Sequence, residues 1–116
     1  MRVARRASRE LETPELRRLR QRIDAIDRKI VALLNERAQL AREVGRAKAL
    51  AGRRGIRDAE REREVLLRVT MANGGPLAQA DLLALYRRLI SATRALEASD
   101  RARVAPEPVT GADDVD

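Results

Sequence analysis

The 116-residue chain has no cysteine and no histidine, and Tyr86 is its one aromatic residue. Without cysteine there is no disulfide, no thiol nucleophile and no thiolate metal site. Without histidine there is no imidazole base, no imidazole metal ligand and no serine-type triad. A single aromatic ring cannot build the base-stacking surfaces that RNA-binding sheets use. Any chemistry must therefore rest on Arg, Lys, carboxylates, hydroxyls and amides. The chain also lacks an apolar run near the roughly 20 residues that span a bilayer. The opening MRVARRASRE has no apolar stretch long enough for a secretory signal. A cytoplasmic protein without membrane contact is the expectation.

What is abundant is charge. Lys and Arg number 25 against 18 acids, a formal net charge of +7. The excess lies in the middle: residues 1–14 carry +2 and residues 98–116 carry −3, which leaves +8 for 15–97. Arginine accounts for all but two of the basic residues, so the lysines, Lys29 and Lys48, are the rarer choice.

Hydropathy is periodic. Residues 1–13 are polar with no period and read as a disordered N-terminal tail. Thr13 suits an N-cap, Pro14 the first helical position, and Glu15 the positive end of the helix dipole. From there Leu16, Leu19, Ile23, Ile26, Ile30, Leu33, Leu40, Val44 and Ala47 recur at alternating spacings of three and four, if position 37 counts as a member. The pattern predicts one amphipathic helix from Pro14 to Ala51. GRRGIR at 52–57 is a connector, and Asp58 an N-cap for a second helix whose apolar face is Val65, Leu66 and Val69. ANGGP at 72–76 breaks it. A third helix is expected from Gln79 to Ala98, with Leu82, Leu83, Tyr86, Leu89, Ile90 and Leu96 inward. Residues 99–116 read as a disordered acidic tail. The fold class is all-α, with three helices per chain and one domain over 14–98.

A helix of about 38 residues is roughly 57 Å long. A compact domain of about 85 residues is only ~31 Å across. One chain cannot bury that whole stripe, so an intertwined homodimeric helical bundle is expected.

Polar groups on the apolar faces carry the functional signal, because burying them is costly unless they are paired. Arg37 stands in the stripe between Leu33 and Leu40, and Lys48, eleven positions on, is about 20° away around the helix. Glu62 falls on the inner face of the second helix, flanked by Asp58 and Arg61, and Thr93 and Glu97 align on the third. Each has a plain alternative. Arg37 would be a buried ion-pair partner, and Lys48 would reach out to water. Thr93 would bond back to its own helix, and Glu97 would pair with Arg94 or Arg101. Together, however, three helices point mixed polar groups inward, and such a pocket suits a small, multiply anionic ligand.

Four motifs make the pattern specific: R-x-x-I-D-x-I-D from Arg20, N-E-R-x-x-L-A-x-x-V-G-x-x-K from Asn35, D-x-x-R-E from Asp58, and S-A-T-R-A-L-E from Ser91. In register over residues 16–98, they resemble the all-helical class of chorismate mutases. The resemblance implies an intertwined homodimer with two equivalent sites, each completed by Arg20 from across the interface. It implies that Arg20 and Arg37 grip the two carboxylates of chorismate, and that Lys48 donates to the ether oxygen and a carboxylate. Asp58 and Glu62 would hold the ring hydroxyl, with Arg61 supporting the carboxylate site. Thr93, where members usually have Ser, would contact a carboxylate, and Glu97, where they have Gln or Glu, would face the ether oxygen. The connector departs from the family pattern: Gly55 stands where Pro is common, and the segment is one residue longer.

The implied reaction is the Claisen rearrangement of chorismate to prephenate, in phenylalanine and tyrosine biosynthesis. It needs no nucleophile, proton shuttle, metal or cofactor, and it asks the protein to hold a compact conformer and stabilise charge on the ether oxygen. Arg37, Lys48 and Glu97 are the expected catalytic residues. Three rivals remain open at this stage. Isochorismate-pyruvate lyase shares the fold. A basic helical dimer would bind nucleic acid, although here the basic residues are interleaved with acids. A subunit activated by a partner enzyme of the aromatic pathway is the third.

Overall fold

The computed structural model describes residues 11–53 and 58–104. Its elements are α1 (Pro14–Leu50), α2 (Ala59–Ala72) and α3 (Gln79–Val104), and the fold is all-α with three helices. The chain divides into two compact units, Met1–Arg37 and Ala38–Asp116, and α1 begins in the first and ends in the second.

In the first unit, the N-terminus of α1 is closed as its residues dictate. The Thr13 Oγ1 accepts from the Leu16 N–H at 3.1 Å, Pro14 needs no donor partner, and Glu15 lies in the first turn. Before the cap, Glu12 receives Arg20 at 2.8 Å and Arg17 at 3.5 Å. Leu19, Ile23, Ile26, Ile30 and Leu33 are all exposed in the single chain, Leu33 by 62%. A stripe of this composition is stabilising only when covered.

In the second unit, α1 ends in a Schellman motif. The Gly52 N–H donates to the Ala49 carbonyl at 3.1 Å and the Arg53 N–H to the Lys48 carbonyl at 2.8 Å. Gly52 has φ +80°, the left-handed conformation this closure needs and glycine supplies without strain. Asp58 caps α2: its carboxylate accepts from the Arg61 N–H at 3.0 Å. At the far end of α2, the Asn73 side chain organises the turn into α3, accepting from the Gly75 N–H and donating to the Leu77 carbonyl and Gln79 Oε1.

Helices α2 and α3 pack on each other. Val65, Leu66 and Val69 are half-buried, as are Leu82, Leu83, Tyr86, Leu89 and Leu96, while Ile90 and Thr93 are the buried residues among those described. These are the inner faces that the periodicity selects. On this part of α1 the half-buried positions are Ala38, Ala41, Arg42, Gly45 and Lys48, whereas the stripe residues Leu40 and Val44 stay exposed.

The end of α3 differs from expectation. The helix does not stop at Ala98 but continues to Val104, so residues 99–104 are helix rather than tail. Asp100 holds Arg42 of α1 through two hydrogen bonds, and Arg101 and Arg103 sit in the last turn, where cations suit the dipole. The rest of the expected tails, 1–10 and 105–116, and the connector residues 54–57 with Gly55 lie outside the described residues. No helix among the described residues is long and apolar enough to cross a membrane.

Candidate active site

Lys48 is the centre of the polar cluster in the second unit. It lies in the last turn of α1, its carbonyl fixed by Arg53 and its side chain half-buried. Its charge acts on two carboxylates, Asp58 at the start of α2 and Glu97 on α3. The sequence places these three groups 10 and 39 residues from one another along the chain; helix ends and packing bring them within electrostatic reach.

The two carboxylates are shifted in opposite directions. Asp58 lies below the ordinary carboxylate range, chiefly because the Arg61 N–H bonds to its charged form, with Lys48 and Arg53 adding to this against partial burial. The Arg53 guanidinium stands 3.9 Å from it. Glu97 is pushed up, chiefly by burial, with Asp100 in the same direction and Lys48 and Arg101 opposing. Gly45 of α1 faces this carboxyl. A Cβ there would stand 3.5 Å from the Glu97 Oε2, so the carboxyl lies directly against the backbone of α1.

The remaining site candidates of this unit divide. Glu62 is largely buried and faces Arg94 of α3 at 3.4 Å. Arg94 therefore leans across to Glu62 on α2, and of the two arginines expected beside Glu97 it is Arg101 whose charge acts on it. Thr93 is buried with its hydroxyl donating to the Leu89 carbonyl at 3.0 Å, the back-bonded state that the sequence also allowed. In that state its oxygen can accept but has no proton to offer a carboxylate. The Arg61 side chain is not brought to the cluster; it is exposed and pairs with Glu64 at 3.3 Å on its own helix, and only its backbone N–H reaches Asp58.

In the first unit, Arg20 is exposed and engaged by Glu12. Arg37 is half-buried.

Sequence reasoning missed Arg42, Asp100, Arg53 and the true partner of Arg94. For Asp100 a signal was present. Arg101 and Arg103 are the basic residues expected in a last helical turn, which marks a helix running past Ala98.

The comparisons with known proteins bear on the same region. The family model for chorismate mutase type II matches residues 19–98, which contain every site residue expected from the sequence. The chain belongs to the chorismate mutase type II family. Among curated relatives, a bifunctional chorismate mutase/prephenate dehydratase from Aquifex aeolicus is 44% identical over 87 residues, 72% of this chain and 24% of the relative. The enzyme of the same description from Escherichia coli K12 is 42% identical over 73 residues, 62% of this chain and 19% of the relative. The chain thus spans about a quarter or less of the length of these relatives. Among solved structures, the form II chorismate mutase from Thermus thermophilus superposes with a TM-score of 0.68 at 32% identity, covering 72% of this chain and 94% of that one. The long first helix and the two shorter ones are those of a chorismate mutase fold.

Proposed function

We propose that this chain is an isomerase that rearranges chorismate to prephenate as a homodimer in the cytoplasm, serving phenylalanine and tyrosine synthesis. The observation that carries the reading is the Lys48, Asp58 and Glu97 cluster, lying inside the region that matches the family. That the curated relatives join chorismate mutase to prephenate dehydratase supports a place in the same pathway. Dimerisation is supported by the uncovered apolar stripe of α1, where Leu19, Ile23, Ile26, Ile30 and Leu33 await a second copy.

The chemistry follows from what each group can do. Chorismate carries two carboxylates, and Arg forks fix such groups in position and orientation. Arg37 takes one, and Arg20, released from Glu12 and supplied across the dimer interface, takes the other. Holding both ends brings the reacting carbons together and removes the entropy of finding the compact conformer. Lys48 donates to the ether oxygen as its bond to carbon breaks and negative charge builds there. Asp58 and Glu62 hold the ring hydroxyl, whose single proton is donated to one carboxylate at a time. Arg61 acts through the backbone N–H that fixes Asp58. Thr93 contacts a carboxylate once its hydroxyl turns from the Leu89 carbonyl. No cofactor or metal enters the scheme.

Glu97 makes the scheme pH-dependent. An ionised carboxylate beside the ether oxygen would repel the transition state, whereas a protonated one donates a hydrogen bond. Its pKa is raised in the free protein by burial, and a bound dianion raises it further. The active protonated form is therefore present below that raised pKa and lost as pH rises through it. We expect kcat/KM for prephenate formation to be higher on the acidic side of neutrality. Glu97→Gln, which donates at any pH, is expected to flatten the profile. Rates for both proteins from about pH 5 to pH 9 test this. Superimposable profiles would leave Lys48 as the one donor to the ether oxygen, and absence of prephenate throughout would overturn the function itself.

A further inference from the structure

The two ends of one helix pair are joined by a bridge that neither the motifs nor the mechanism uses. The Arg42 Nε donates to the Asp100 Oδ2 at 2.8 Å and its Nη2 to the Oδ1 at 3.1 Å. The fork is closed on both sides, and the side chains are only 31% and 20% exposed. Fixed geometry of this kind is what guanidinium–carboxylate pairs supply and point charges do not. Each charge perturbs the other: Asp100 is lowered, first by its hydrogen bond from Arg42, and Arg42 is raised, first by its bond to Asp100.

The position of the bridge matters more than its strength. Three residues along α1 from Arg42 is Gly45, and three residues back along α3 from Asp100 is Glu97. On a helix such residues share a face, one turn apart. Arg42 meets Asp100, and Gly45 meets Glu97, so the two contacts are successive rungs of one antiparallel register. The contact at Gly45 does not select the register, because a glycine surface offers no directional partner and even a Cβ there would stand at an ordinary 3.5 Å from Glu97. The fork one turn away does select it. At the next step along the same face of α1 stands Lys48, whose charge reaches Glu97.

We propose that Arg42 and Asp100 form a positioning pair that sets the register of α3 on the end of α1 and so holds the half-buried Glu97 carboxyl against Gly45. The proposal deepens the mutase reading, and neither residue touches substrate in it. The charges acting on Glu97 are Lys48 from α1 and Arg101 and Asp100 from α3, while Glu62, on the α2 helix that packs on α3, is engaged by Arg94.

The effect of removing the arginine separates positioning from simple charge. With the register intact, Arg42→Met leaves only Arg103 and Arg46 against the Asp100 charge, and the lost cation pushes the Glu97 titration upward. With the register lost, Glu97 leaves its half-buried place, and its titration falls toward that of an ordinary glutamate. The side-chain carboxyl of Glu97, followed by carbon NMR in the ligand-free full chain across pH, reads the direction. We expect the midpoint to fall in Arg42→Met; it falls in Asp100→Asn as well, but there the lost carboxylate charge acts in the same direction, so Arg42→Met decides. With chorismate we expect kcat to fall roughly tenfold or more, as misplaced groups do, while KM moves less. A folded Arg42→Met protein whose Glu97 midpoint rises or stays in place would overturn the proposal. If that variant does not fold, Arg42→Lys keeps the charge and loses the fork. A partial fall there supports positioning, and an unchanged midpoint overturns it. The titration needs no substrate, so a protein that proves inactive toward chorismate refutes the functional reading without deciding this one.

Discussion

Lys48→Ala is expected to lower kcat/KM for chorismate by about a hundredfold to a thousandfold, the range seen when a preorganised donor to a developing oxyanion is removed. Most of the loss should fall on kcat, because the charge on the ether oxygen exists only as the bond breaks. Alanine is a good helix former, and the backbone closure at Gly52 does not depend on the lysine side chain, so circular dichroism should show an intact helical protein. Removal of the cation also takes away one of the charges that hold the Glu97 titration down. More of Glu97 would then be protonated at neutral pH, and because Gln also donates, the double variant Lys48→Ala with Glu97→Gln should lose little beyond the single one. Steady-state kinetics on the three proteins check this. A Lys48→Ala enzyme within about threefold of wild type would remove the lysine from the transition state.

The second large effect is one of recovery. Arg20→Ala and Lys48→Ala chains are each expected to be nearly inactive, since each lacks one essential cation at both sites. If Arg20 serves its neighbour's site, a mixed dimer holds one site with both cations intact and one with neither. Random exchange of equal amounts makes half of the dimers mixed, so activity should return to about a quarter of wild type. The measurement is prephenate formation after subunit exchange, with tagged chains proving that mixed dimers exist. No recovery despite mixed dimers would place Arg20 within its own chain's site or outside any site. Its partner in the free chain, Glu12, is displaced wherever Arg20 enters a site.

Much of the local structure was legible because its causes are local. Thr13, Pro14 and Glu15 announce the start of α1, Gly52 its end, and Asp58 the cap of α2, and each of these acts on residues within a turn of itself. The inner faces of α2 and α3 followed from spacing alone. The Lys48 and Glu97 pairing was legible through motifs, since nothing within a few residues of either marks it. What escaped depends on contacts distant in sequence. Residues 99–104 offer only Ala102 and Val104 as apolar side chains, and their helix is held by Arg42, 58 positions before Asp100. Arg94 was equally placed to reach Glu97 on its own helix or Glu62 on α2, and only packing of the two helices decides between them. Arg61 shows the reverse case: the motif marks it, yet its side chain bonds to Glu64 and its backbone does the positioning. Helical periodicity fixes the face a residue occupies, not the partner its side chain finds across a gap.

The central claim is that this fold, with its cationic and protonated donors, rearranges chorismate. The direct measurement is incubation of the purified wild-type protein with chorismate, and separately with isochorismate, with the products identified by NMR. The expected result is enzyme-dependent conversion of chorismate to prephenate that is lost in Lys48→Ala, with isochorismate turned over far more slowly. Chorismate left unchanged, or pyruvate released from isochorismate as the faster reaction, would contradict it.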